Sequence, residues 1–171
     1  MNCEEWKSSR NIVIGALLAV IATIIQASTL YLPLLGISLS ALSTLPVALS
    51  GYLNIVTGLL TYLVSAVLLL SWGFPSALIF ICSSGFLGFC LGVLLKRGYP
   101  FYAVAVISSV CLTCGILIAC NILGLPVLPW LPVDKRMFFF PVLMVGSFVY
   151  AAVWIGLLNF ILLRLKQYIN I

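Results

Sequence analysis

The chain has 171 residues, 64% of them hydrophobic and 6% charged, with a net charge of +5 and a mean hydropathy of +1.32. Soluble domains carry about 25% charged residues, so a soluble globular fold is excluded. The cations come in pairs beside hydrophobic ends with no run of four basic residues, which excludes a nucleic-acid surface as well.

No charged side chain occurs between Asn11 and Leu95. At roughly 20 residues and 1.5 Å rise per residue for each crossing, the chain has room for about six spans and no separate soluble domain. The polar start, Met1 to Arg10, leads into a first helix over 12–29. Ile25-Gln26-Ala27 loosely imitates a signal-peptide cleavage site, but the run is long and further apolar segments follow, so an uncleaved span is predicted. Its small residues Gly15, Ala19, Thr23 and Ala27 recur every four positions and share one face, where another backbone can approach closely. That face serves either internal helix packing or the docking of another subunit.

Pro33, Gly36 and Pro46 interrupt the next stretch, where a short second helix is predicted over 37–50. Broken backbone at membrane depth is tolerated where protein covers it or where it lines a cavity. Gly51 and Asn54 mark the turn into a helix over 53–71. Trp72-Gly73-Phe74-Pro75 makes the next turn, with aromatic rings suited to the headgroup boundary. The helix over 76–95 carries Ser84, Gly88 and Gly92 on one face, a pattern for close helix packing. Lys96-Arg97-Gly98 closes it.

A fifth helix is predicted over 101–121, and three prolines then forbid a regular helix between Ile122 and Arg136. A sixth follows over 137–163. With Lys7, Arg10, Lys96, Arg97, Arg164 and Lys166 facing the cytoplasm and Lys135 and Arg136 facing out, six cations lie inside and two outside. The expected fold is therefore all-α: a single domain over 1–171, a polytopic membrane protein with six transmembrane helices and both termini cytoplasmic.

Catalytic chemistry is missing. There is no histidine and no Gly-x-x-x-x-Gly-Lys phosphate loop. The acids are Glu4, Glu5 and Asp134, so no carboxylate inside the apolar segments can relay protons or hold a cation. No enzyme activity, catalytic residue, metal site or cofactor is expected. Five of the six cysteines lie in apolar stretches, which argues against a disulfide framework. Cys111 and Cys114 have thiol-redox spacing but no nearby cation to activate a thiol, and are read as buried and inert.

The threading places Tyr31, Trp72, Ser84, Asn121, Trp130, Ser147 and Tyr150 in the outer half, where polar groups and aromatic faces form a candidate substrate site. Asn121 is the most informative, because an amide in hydrocarbon needs a partner; a helix-end cap or interhelical bond accounts for it as well as ligand contact does.

The order of elements resembles the substrate-binding S components of energy-coupling-factor (ECF) transporters. The likeness rests on the small-residue first helix (Gly15-Ala-Leu-Leu-Ala19), on Leu45-Pro46-Val-Ala-Leu-Ser-Gly51 with Gly58 beyond it, and on Gly88-Phe-Cys-Leu-Gly92-Val-Leu-Leu-Lys96-Arg97. It implies a multi-pass protein of a prokaryotic plasma membrane that captures a small, vitamin-like molecule at the outer face. A transmembrane coupling subunit and two cytoplasmic ATPases would be its partners, with Gly15, Ala19 and Thr23 as the subunit-docking face. The family's first-helix pattern has alanine where this chain has Gly15, and no vitamin-specific motif is recognisable. The alternative from another class is a structural or scaffolding membrane protein of an envelope complex, with the same helices and no ligand.

Overall fold

The computed structural model describes residues 3–31, 39–123 and 136–169, with side chains for 9–31, 39–119, 122 and 140–164. All elements among them are helices: α1 Cys3–Tyr31, α2 Thr44–Leu53, α3 Ile55–Trp72, α4 Phe74–Cys82, α5 Ser84–Lys96, α6 Phe101–Leu123 and α7 Arg136–Ile169. Five stretches are long and apolar enough to cross a membrane: Ser9–Tyr31, Ile55–Trp72, Phe74–Lys96, Phe101–Ala119 and Phe140–Arg164. Where six spans were expected, the second is represented by the shorter apolar stretch Leu39–Leu53. The chain divides at the Gly98 turn into two compact units, Met1–Gly98 and Tyr99–Ile171, within the stretch read from sequence as one domain. Gly98 takes φ +73°, a left-handed turn after the helix that favours glycine.

Polarity is distributed inside out. On α1, Leu17, Val20, Ile21 and Ile24 are exposed while Gly15, Ala19, Thr23 and Gln26 are buried. On α3, Val56, Leu60, Val64 and Val67 are exposed while Thr57, Thr61 and Ser65 are buried. So much exposed apolar surface would aggregate in water. In lipid it is free of that penalty, and small or hydroxylated residues turned inward let backbones approach. This is a multi-pass α-helical membrane protein.

In the first unit, Thr61 Oγ1 donates to the Gly15 carbonyl at 3.1 Å and Ser65 Oγ to the Ala19 carbonyl at 3.1 Å. A step of four along α3 matches a step of four along α1, so the two helices run parallel, and the chain between them must travel the height of the unit. α2 supplies that return. It runs beside α5, with Gly88 against Thr44 and Val47, and Gly92 against Ala48 and Tyr52. Lys96 Nζ donates to the Leu53 carbonyl at 2.9 Å, capping the end of α2. Gly58 of α3 meets Gly51 of α2, where a Cβ would lie 2.5 Å from the Gly51 Cα. Arg10, Lys96 and Arg97 thus fall at one end of the unit, and Tyr31 and Trp72 at the other.

Two helices expected to be continuous are broken. The expected helix over 37–50 is a helical turn at 39–42, a break in the hydrogen-bond ladder at Ser43, whose φ of −62° and ψ of −20° stay helical, and then α2; residues 37 and 38 lie outside the described residues. Pro46 accounts for the position of the break: it has no N–H for the residue 42 carbonyl, and sits in the first turn of α2, where none is needed. The expected helix over 76–95 bends at Ser83, whose φ is −121° and ψ −89°. Ser83 Oγ donates to the Ile79 carbonyl, and such a side-chain bond competes with the helix. Tyr62 Oη donates to the Ile81 carbonyl at 3.0 Å, supplying a partner to one of the carbonyls at the end of α4.

In the second unit α6 pairs with α7. α7 runs unbroken through Pro141, which removes the N–H that would reach residue 137. Val104, Ala105, Ala151, Ile155 and Leu158 are buried.

Candidate functional site

Beside the two helix breaks lies a buried polar cluster. Gln26 of α1 is 1% exposed, Ser43 0% and Ser84 8%. Ser43 Oγ lies 2.7 Å from the Ser40 carbonyl oxygen, 2.9 Å from Gln26 Oε1 and 3.1 Å from Ser84 Oγ. Ser84 Oγ lies 3.4 Å from Gln26 Oε1. Thr44, next in the chain, is fully buried, and its Oγ1 has no hydrogen-bond partner among the described residues. Beneath the cluster packs an apolar core of Ala22, Ala27, Val47, Leu69 and Phe80. Tyr62 stacks on Phe80 and Phe89, with ring centroids 6.1 and 6.4 Å away.

The local sequence explains this placement. Gln26 follows Gly15, Ala19 and Thr23 toward the Tyr31 end of α1, on the side of the helix that the rest of the unit covers. Ser43 sits at one helix break and Ser84 next to the other, and the glycines at 88 and 92 draw α5 against α2 so that the two serines meet. Burying an amide and two hydroxyls in hydrocarbon costs several kcal/mol unless they bond one another, and here they do.

Of the described side chains expected to form the substrate site, Ser84 alone belongs to this cluster. Tyr31 and Trp72 meet edge to face at the end of the unit, ring centroids 6.1 Å apart, and are 69% and 52% exposed. Ser147 and Tyr150 belong to the second unit; Ser147 is buried and its Oγ has no partner among the described residues, while Tyr150 packs against Trp154 at 6.1 Å. The Asn121 side chain and Trp130 lie outside the described residues. Gln26 and Ser43 were missed by sequence reasoning. A signal was there: Gln26 is the lone amide between Asn11 and Asn54.

The expected docking face requires correction. Gly15, Ala19 and Thr23 are buried against α3 of the same chain, and a Cβ at Gly15 would lie 2.6 Å from Thr57 Cγ2. The stripe packs internally, so it offers no open groove to a second protein. Cys111 and Cys114 are free thiols, and Cys114 is exposed, where burial was expected. Among the described residues no group of three His, Cys, Asp or Glu side chains gathers to hold a metal. Comparison with protein-family models, with curated proteins and with solved structures finds no match in any of the three.

Proposed function

We propose that this chain is the membrane-embedded substrate-binding subunit of an ECF-type importer, taking up a small, vitamin-like molecule. One observation carries the reading: a buried cluster of amide and hydroxyl groups stands beside two interrupted helices in an otherwise apolar unit. A packing module needs neither the interruptions nor the buried amide. A binding subunit uses both, because interrupted backbone and a few placed polar groups make a site of an apolar interior. Gln26 lies five residues before Tyr31 on α1, so the ligand enters from the Tyr31/Trp72 end, with the aromatic pair at the mouth.

The reading includes six crossings of a prokaryotic plasma membrane, Leu39–Leu53 being the short one, with both termini cytoplasmic. The Arg10, Lys96 and Arg97 end of the first unit then faces the cytoplasm, as cation bias requires. Energy comes from two ATPases through a coupling subunit, since this chain has no phosphate loop. The coupling subunit meets a face other than the Gly15 stripe.

Two measurements test it. Native mass spectrometry of the chain purified from its own membrane should show a bound small molecule and coupling subunits; a bare chain bound to neither points to the scaffolding alternative. In a cysteine-free background, an impermeant thiol reagent applied outside should label a cysteine at Gly73 and spare one at Gly98. The reverse pattern would overturn the orientation.

A further inference from the structure

On α7 one outward-facing seam departs from the inside-out pattern of α1 and α3. Val145, Val149, Ala152, Gly156, Asn159 and Leu163 follow one another at steps of four, three, four, three and four. That spacing keeps a single stripe of a helix turned toward a partner helix. Val145, Val149 and Leu163 are 65%, 56% and 63% exposed; Gly156 and Asn159 are exposed too, and Ala152 is half-buried. Gly15, Gly58, Gly88 and Gly92 are each buried against a neighbouring helix, whereas Gly156 has nothing within 4 Å of its Cβ position. The Asn159 side chain has no polar partner among the described residues. It stands five positions before Arg164, where the apolar span ends, about 7 Å inside that end along the helix axis. An amide at that depth needs a partner.

We infer that this seam is the contact between two copies of the chain, related by a two-fold axis along the membrane normal. Cation bias inserts every copy in the same orientation, so such an axis brings each seam residue level with its own counterpart. Asn159 then meets Asn159. An amide is negative at its oxygen and positive at its nitrogen, so it is complementary to a second amide: Oδ1 of one copy accepts from Nδ2 of the other. This holds whichever way round each amide is turned. A different protein would need a polar group of its own at that depth, whereas a second copy necessarily has one. Ala152 and Gly156 leave the groove in which the two backbones approach. A single polar residue in an otherwise apolar seam fixes register and copy number. The contact lies in the second unit and does not rest on the importer reading.

The test is energy transfer between donor- and acceptor-labelled copies of the full chain in lipid vesicles, diluted stepwise with lipid. Labels go on Cys3, with the other five cysteines replaced. Transfer should fall along a monomer–dimer curve. Asn159→Leu should raise the protein density needed for half-dimerisation about tenfold, Asn159→Gln should largely restore it, and Gly156→Leu should abolish the dimer. Gly146→Leu, also exposed on α7 but off the seam, should leave the curve unchanged. In a cysteine-free background, Leu163→Cys should oxidise to a disulfide-linked dimer, because the axis sets it opposite itself. Leu157→Cys, exposed but about 100° round the helix from Gly156, should not. Transfer at the level of random proximity at every dilution overturns the inference, leaving the seam to lipid or to another protein. A dimer of unchanged strength in Asn159→Leu overturns it as well, as it would if headgroup water satisfies the amide. Equal cross-linking from Leu157→Cys overturns it by placing the contact on another face.

Discussion

The two units of this protein solve the same problem, helix association in lipid, in different ways. In the first, the helices are fixed in register by glycine contacts and by bonds between elements: Thr61 to Gly15, Ser65 to Ala19, Tyr62 to Ile81, Lys96 to Leu53, and the Gln26–Ser43–Ser84 cluster. In the second, Ser109 and Thr113 donate to carbonyls of their own helix, at Val106 and Ser109, and buried Ser108 and Ser147 have no partner for their hydroxyls among the described residues. Lipid tails are as apolar as leucine, so hydrophobic burial gives no preference for one helix arrangement over another. Close backbone approach and directional bonds do. The first unit has both in quantity, and it is also the unit that interrupts its helices beside polar groups.

The largest expected effect separates the units through glycine. Gly92→Leu drives a side chain into the Ala48 backbone of α2 and should destabilise by about 3 kcal/mol or more, seen as loss of monodisperse protein in detergent. Gly146→Leu, on α7 with nothing within 4 Å of its Cβ position, should fold and elute as the wild type does. Equal damage from both would erase the distinction.

Next come the buried polar groups. Gln26→Leu strips the cluster of its amide and leaves two serines facing an apolar side chain; a loss of about 1–3 kcal/mol is expected. Ser147→Ala removes a hydroxyl that has no partner, and its unfolding midpoint should stay level or rise slightly. A drop for Ser147→Ala comparable to that for Gln26→Leu would mean the second unit relies on directional bonds as well. Tyr62→Phe keeps the stack on Phe80 and Phe89 while losing the bond to Ile81, so about 0.6 kcal/mol is at stake. The smallest effect belongs to Lys96→Ala, which uncaps α2 at an exposed position and should cost about 0.3–0.5 kcal/mol, measurable as a shift in midpoint against the wild type.

Much of the architecture was legible along the chain because lipid imposes a simple rule. An uncharged run from Asn11 to Leu95, broken by glycine and proline and bracketed by cations, states membrane residence and the approximate helices without reference to any partner. Small residues four apart state close packing for the same reason: a missing side chain leaves a groove. Which helix fills the groove is a separate matter. The Gly15–Ala19–Thr23 face was open to two readings until α3 was found lying on it. The Gly88–Gly92 face received α2.

The sequence by itself determined that this protein lives in a bilayer, that its fold is helical, and that its interior carries few groups able to do chemistry. Each of these follows from composition and from local periodicity, which need no knowledge of what lies across the molecule. The tertiary structure decided where the helices bend and which polar groups meet. Ser43 and Ser84 are 41 positions apart and Gln26 is 58 from Ser84, so no local pattern links them. They come together because Gly88 and Gly92 let two backbones touch, and an amide buried in hydrocarbon must find a partner.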